Sequence, residues 1–255
     1  MSHSIPTIHR RPDQSRLRAS AVSVHLAGFA LALSLAWAAR EAFELSSGFP
    51  FCAAAVFGVV ALVTLGGLGG HPFDRFGLAN GVTTLRASLV SLVVAATVEP
   101  AVRHLALGAA ITSLLVAALD GADGWMARRS GMASDFGARY DMEVDALLVL
   151  ALSVLAWRTG KAGPWIVSAG VMRYGFVAAG WMWSWLRHPL PPRRRRQAVC
   201  VIQVLSMSAA LLPGLTPLTA LTLLTAALLL LSYSFSVDIA WLWRRHLALG
   251  GVAIA

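Results

Sequence analysis

Charge is what this 255-residue chain has least of. Asp, Glu, Lys and Arg together make up 13% of it, against 57% apolar residues. With a mean hydropathy of +0.68, this composition excludes an ordinary soluble domain, in which about a quarter of residues are charged. Cysteine is nearly absent as well. Cys52 and Cys200 stand alone within or beside apolar stretches, offer no disulfide or zinc pattern, and read as small hydrophobes. The seven histidines, at 3, 9, 25, 71, 104, 188 and 246, form no ligand-spaced set, which argues against zinc and against a histidine general base. No RNA- or DNA-binding motif accompanies the net charge of +9, so nucleic acid is not an expected partner. The first apolar stretch begins late, behind a basic tail, and lacks a convincing cleavage site; it is expected to remain as a span and not to act as a cleaved signal peptide.

Long apolar runs fill what remains. Eight of them, each about 17 to 25 residues as a bilayer requires, cover approximately 19–39, 50–70, 80–98, 102–120, 140–158, 162–186, 197–213 and 216–242. Pro100, Pro164, Pro189, Pro191, Pro192, Pro213 and Pro217 punctuate the loops. The predicted fold is an all-α, polytopic membrane helix bundle of about eight transmembrane helices. Basic residues set its orientation. With the N-terminus inside, the cytoplasmic side receives Arg10, Arg11, Arg16, Arg18, Arg75, Arg86, Arg128, Arg129, Arg139, Arg187, Arg193 to Arg196, Arg244 and Arg245, which is 16 of the 21 basic residues. Arg40, Arg103, Arg158 and Lys161 fall outside, and Arg173 lies within a span. Both termini are therefore expected in the cytoplasm, the setting being a bacterial inner membrane. Trp181, Trp183, Trp185, Trp241 and Trp243, near span ends, fit an interfacial belt, and the basic loops fit anionic lipid headgroups.

Against this apolar background four aspartates stand at helical spacings in one segment: Asp120-Gly-Ala-Asp123-Gly124-Trp-Met-Ala127-Arg128, eight residues, then Gly137, Asp141 and Asp145 at intervals of four. Carboxylates beside membrane-length stretches are costly and mark function. On a helix Asp120, Asp123, Gly124 and Ala127 share one stripe, and Gly137, Asp141 and Asp145 share another, with Glu143 pointing the other way. Two such stripes face to face bring four carboxylates together, which cannot all stay ionised without cations. Oxygen-only ligands suit Mg²⁺ or Mn²⁺, with two ions expected. Gly124 and Gly137 leave room for a ligand near the backbone.

The pattern D-x-x-D-G-x-x-A-R-x8-G-x-x-x-D-x-x-x-D resembles the signature of the CDP-alcohol phosphotransferases, with eight fixed positions matched across 26 residues. Asn80-x-x-Thr83-x-x-Arg86 resembles, more weakly, the stretch that opens that family's first core helix. The resemblance spans roughly 78–242. It divides the chain into a basic cytoplasmic tail (1–18), an accessory transmembrane hairpin (19–77), a six-helix catalytic core (78–242) and a C-terminal tail (243–255).

What the resemblance implies is a metal-dependent phosphatidyltransferase that moves a phosphatidyl group from CDP-diacylglycerol to an alcohol and releases CMP. Asp120, Asp123 and Asp141 are then the main metal ligands, with Asp145 completing the set and also serving as general base on the acceptor hydroxyl. Arg128 pairs with the donor phosphates, Gly124, Ala127 and Gly137 let cytidine approach the backbone, and Asn80 and Thr83 border the donor. The acceptor is expected to be a phosphorylated polyol, glycerol 3-phosphate or inositol phosphate, met by Arg173 and Arg196. An arginine inside a span wants an anionic partner, and for Arg173 that is either an acceptor phosphate or one of the aspartates. Serine, choline or phosphatidylglycerol are the alternative acceptors, and a homodimer is carried as an option. From a different class, an ion or metal transporter would also place carboxylates in a membrane, but Glu99 and Asp238, the acidic residues of other spans, stand at span ends.

Overall fold

The computed structural model describes residues 13–100, 102–130, 134–191 and 194–252, and every regular element in them is helical. Eight α-helices follow in order: α1 (Gln14–Phe43), α2 (Gly48–Gly66), α3 (Leu78–Ala96), α4 (Val102–Ser130), α5 (Asp135–Arg158), α6 (Val167–Met182), α7 (Arg194–Leu211) and α8 (Pro217–Val252). Each answers to one predicted apolar run. Among the described residues four helical stretches, Gln14–Phe43, Gly48–Gly70, Leu78–Ala96 and Pro217–Ala248, are long and apolar enough to cross a membrane by themselves. Within α4 the described apolar stretch is Leu105–Gly121.

Helix ends depart from the apolar runs wherever a polar residue caps. Asp13 accepts the backbone N–H groups of Ser15 and Arg16, so α1 starts at Gln14, inside what reads as the basic tail. Ser134 accepts the Gly137 N–H at 3.1 Å and starts α5 at Asp135, five residues ahead of the expected span. α4 likewise runs past its apolar part to Ser130, carrying the whole Asp120–Arg128 segment on one helix. The sixth predicted span is broken. Short 3-10 turns at Pro164–Ile166 and Ser184–Arg187 flank a 16-residue α6, because Pro164 opens a new helical turn and Trp183 adopts extended backbone.

α3 is the hub. It packs against α1, α2, α4 and α5, and 61% of its apolar stretch is buried, against 22–28% for α1, α2 and α8. The N-terminal hairpin is therefore fused to the core. On α1 the buried positions Leu17, Ala21, His25, Gly28, Ala32 and Ala36 recur every three or four residues, and most are small. At Gly28 the approach is closest. A Cβ there would lie 2.7 Å from Phe57 and 2.9 Å from Thr84, and the Gly28 carbonyl accepts the Ser88 hydroxyl at 2.9 Å. At the far end of α3, Glu99 is 3% exposed and accepts both the hydroxyl and the backbone N–H of Ser46, at 2.5 and 3.2 Å, which ties the α1–α2 turn to the core.

Candidate active site

Three helices build the site. α3 contributes the stripe Asn80, Thr83 and Arg86, three residues apart and all buried. α4 contributes Asp120, and α5 contributes Asp141 and Asp145, one turn apart. Carboxylate oxygens of Asp120, Asp141 and Asp145 lie within 4.8 Å of one another. At their centre stands Arg86, 1% exposed: one guanidinium nitrogen meets Asp120 at 2.9 Å and also meets Asp141, while the other donates to Asp145. The cation that the clustered carboxylates require is thus in part a side chain of the protein.

The arrangement brings together three of the four aspartates of the two expected stripes, Asp120, Asp141 and Asp145, and adds two residues. Arg86 is the larger addition. In a count of basic residues it passes for a topology charge, yet its place three residues after Thr83 on the buried face of α3 is the signal that sets it apart. Cys200 on α7 is the second: its thiol donates to the other oxygen of Asp145 at 3.7 Å, so it is more than an apolar filler. Asp145 is the most enclosed of the three carboxylates, its side chain 20% exposed against 32% for Asp120 and 34% for Asp141.

The donor set fits a hard divalent cation. Three carboxylates offer several oxygens in a small volume, a third of two of them open to solvent, with no imidazole among them. An all-oxygen set of this kind suits a hard cation such as Mg²⁺ or Mn²⁺ better than zinc, whose sites are built mainly from Cys and His. The side chains of Asp123, Ala127 and Arg128, and the surroundings of Gly124, lie outside the described residues, although their backbone belongs to α4.

Gly137 behaves differently from a simple opening for a ligand. A Cβ there would fall 2.7 Å from the side-chain oxygen of Asn80, so the room it leaves is occupied by Asn80 and α3 closes on α5. Asn80 is 6% exposed and donates to the Phe76 carbonyl at 2.5 Å. Thr83, 3% exposed, donates to the Ala79 carbonyl of its own helix at 3.1 Å. One turn on from Gly137, the Tyr140 hydroxyl reaches the Thr84 hydroxyl at 3.2 Å, a second tie between the same two helices.

Arg173 finds its anion elsewhere than foreseen. It pairs with Glu143, which stands on the face of α5 turned away from the aspartates. α6 can come that close because Gly170 lets its backbone lie against Leu150. Arg196, at the start of α7, donates to the Pro191 carbonyl and lies one turn before Cys200, on the same side of α7 as the thiol that meets Asp145. Its neighbour Arg195 is spent on structure, bonding the carbonyl and hydroxyl of Ser234 at 2.7 and 2.8 Å and Asp238 at 2.5 Å on α8.

Among the described residues, a carboxylate cluster gathered around a buried arginine stands in a bundle of apolar, membrane-length helices, which makes this a polytopic membrane protein with a polar site in its core. The chain belongs to the CDP-alcohol phosphatidyltransferase family, whose model matches residues 76–237. No curated protein and no solved structure matches the chain. Membership and the apolar helices together make this an integral membrane protein that transfers a phosphatidyl group from a CDP-alcohol. The match begins two residues before α3, so α1 and α2 lie ahead of it.

Proposed function

We propose that this protein transfers the phosphatidyl group of CDP-diacylglycerol to the hydroxyl of a phosphorylated polyol, with release of CMP, at the cytoplasmic face of the membrane. The observation that carries this reading is the meeting of Asp120, Asp141 and Asp145 around Arg86 within the family-matched region. The preponderance of basic residues on the side of the aspartates supports the cytoplasmic face.

Asp120, Asp123, Asp141 and Asp145 would hold Mg²⁺ or Mn²⁺, one ion or two, whose charge neutralises the pyrophosphate and eases departure of CMP. Arg86 keeps the carboxylates gathered at short range. Arg128 grips the donor phosphates through its planar guanidinium. Gly124 and Ala127 leave space for cytidine, Asn80 and Thr83 border the donor from α3, Gly137 admits Asn80, and the acyl chains stay in lipid. Asp145 takes the proton of the acceptor hydroxyl. The hydroxyl oxygen bonds to the phosphorus that carries diacylglycerol, and the bond from that phosphorus to the bridging oxygen breaks, its electron pair leaving with CMP.

Arg196 is assigned the acceptor phosphate, since it lies one turn from the thiol that touches Asp145. Arg173 is assigned the α5–α6 tie with Glu143 in the resting protein, and reaches an acceptor only by leaving that carboxylate. The experiment is incubation of purified protein with CDP-diacylglycerol, Mn²⁺ and a panel of alcohols, reading CMP release and product mass. Release with glycerol 3-phosphate or inositol phosphate supports the reading. Release only with serine, choline or phosphatidylglycerol keeps the reaction and replaces the acceptor, and CMP release with none of them overturns the assignment.

A further inference from the structure

The hairpin's last turn, Gly67–Gly70, delivers one polar residue into the core: His71, 3% exposed and ahead of the family-matched region. Its ring is boxed by Phe73 and Phe76 from the linker and by Phe136, the residue before Gly137 on α5, with centroids 5.8, 6.4 and 5.2 Å away. Its Nε2 stands 3.2 Å from Nδ2 of Asn80. Asn80 Nδ2 already donates one hydrogen to the Phe76 carbonyl, which fixes the amide's orientation, since the reverse would set two oxygens against each other. Its second hydrogen points to His71. Nδ1 lies 3.2 Å from both the carbonyl and the backbone N–H of Phe73. Because the Asn80 amide can only donate to Nε2, we assign the ring proton to Nδ1, with the Phe73 carbonyl as its acceptor. Both amide hydrogens of Asn80 are thereby used, and its oxygen is turned to the gap over Gly137.

We propose that His71 is a positioning residue of the donor subsite, its neutral imidazole accepting from Asn80 and so fixing the Asn80 amide against α5, two turns of α3 from Arg86. This rests on the reading of Asn80 as a donor-bordering residue. It gives the hairpin a part in the reaction: the linker that joins α2 to α3 supplies the second of two contacts that hold the Asn80 amide, the first being the Phe76 carbonyl at the start of the family-matched region. An imidazole suits the task because it offers an acceptor on a flat apolar body that packs among three phenylalanine rings.

The test uses full-length protein in detergent with CDP-diacylglycerol and Mn²⁺, read both as donor-dependent thermal stabilisation and as initial rates of CMP release. His71→Phe keeps the ring packing and removes the acceptor, whereas His71→Gln restores an acceptor through its amide oxygen. The expected result for His71→Phe is a rise of about five- to tenfold in the apparent KM for the donor, the size of one lost hydrogen bond, with kcat and the acceptor KM held within about twofold. His71→Gln should recover most of that loss, and His71→Phe should add nothing further in an Asn80→Ala background. His71→Leu replaces His71→Phe should the latter fail to give monodisperse protein. An unchanged donor KM in the acceptor-less variants, or an equal further loss on top of Asn80→Ala, overturns the proposal. Absence of donor-dependent stabilisation in the wild type overturns the donor reading itself, which separates the two failures.

Discussion

Replacing Arg86 by Gln leaves three carboxylates within 4.8 Å of one another and takes away the cation among them. At 2.9 Å the Arg86–Asp120 attraction alone is about 6 kcal/mol gross at an effective dielectric of about 20, and two further carboxylates share the same guanidinium. Most of that gain repays the desolvation of a side chain only 1% exposed. Deleting one partner of a buried pair typically costs about 3–5 kcal/mol. Because the aspartates are a fifth to a third exposed, water will screen part of the repulsion and about 2–3 kcal/mol is the expected loss. For a chain of this size that corresponds to a Tm lower by about 5–10 °C in EDTA. The decisive measurement is the second arm, in which Mg²⁺ or Mn²⁺ is added. A dication can supply the missing charge, so Arg86→Gln should gain more stability from metal than the wild type does, closing part of the gap. A wild-type Tm for Arg86→Gln in EDTA would refute the view that Arg86 holds the carboxylates together. A deficit that metal leaves untouched would refute the view that these carboxylates form a cation site.

Three other outcomes follow from the same geometry. CMP release should stop in EDTA and return with Mg²⁺ or Mn²⁺ but not with Zn²⁺ alone, because the cluster holds carboxylates and no imidazole; full activity in chelator would contradict it. Asp145→Asn should lower kcat by at least about a hundredfold, the usual contribution of a positioned base, while Asp120→Asn should also weaken metal-dependent stabilisation; identical profiles for the two would make Asp145 a plain ligand. Gly28→Ala should cost about 1–3 kcal/mol, since its Cβ would meet Phe57 at 2.7 Å and Thr84 at 2.9 Å, and its effect should reach the donor KM through α3; an unchanged Tm would mean that the hairpin yields without cost.

What the sequence alone determined is the part of this protein that depends on local spacing. Apolar runs of bilayer length specify helices, because backbone groups in lipid must bond within their own segment. Intervals of three and four place Asp120 on one stripe and Asp141 with Asp145 on another, because the helical repeat does not depend on neighbours. Helix ends were less legible: apolar runs mark where lipid lies, whereas the ends of α1 and α5 are set by the caps Asp13 and Ser134, outside those runs. Tertiary structure decided the partners. Which cation meets the aspartates depends on how α3 lies against α4 and α5, so Arg86 became the centre of the site instead of one more loop charge. The same packing gave Arg173 to Glu143, filled the space over Gly137 with Asn80, and brought Cys200 of α7 to Asp145. Contacts between helices arise from close packing and crossing geometry over the whole bundle, and no spacing within one helix encodes them.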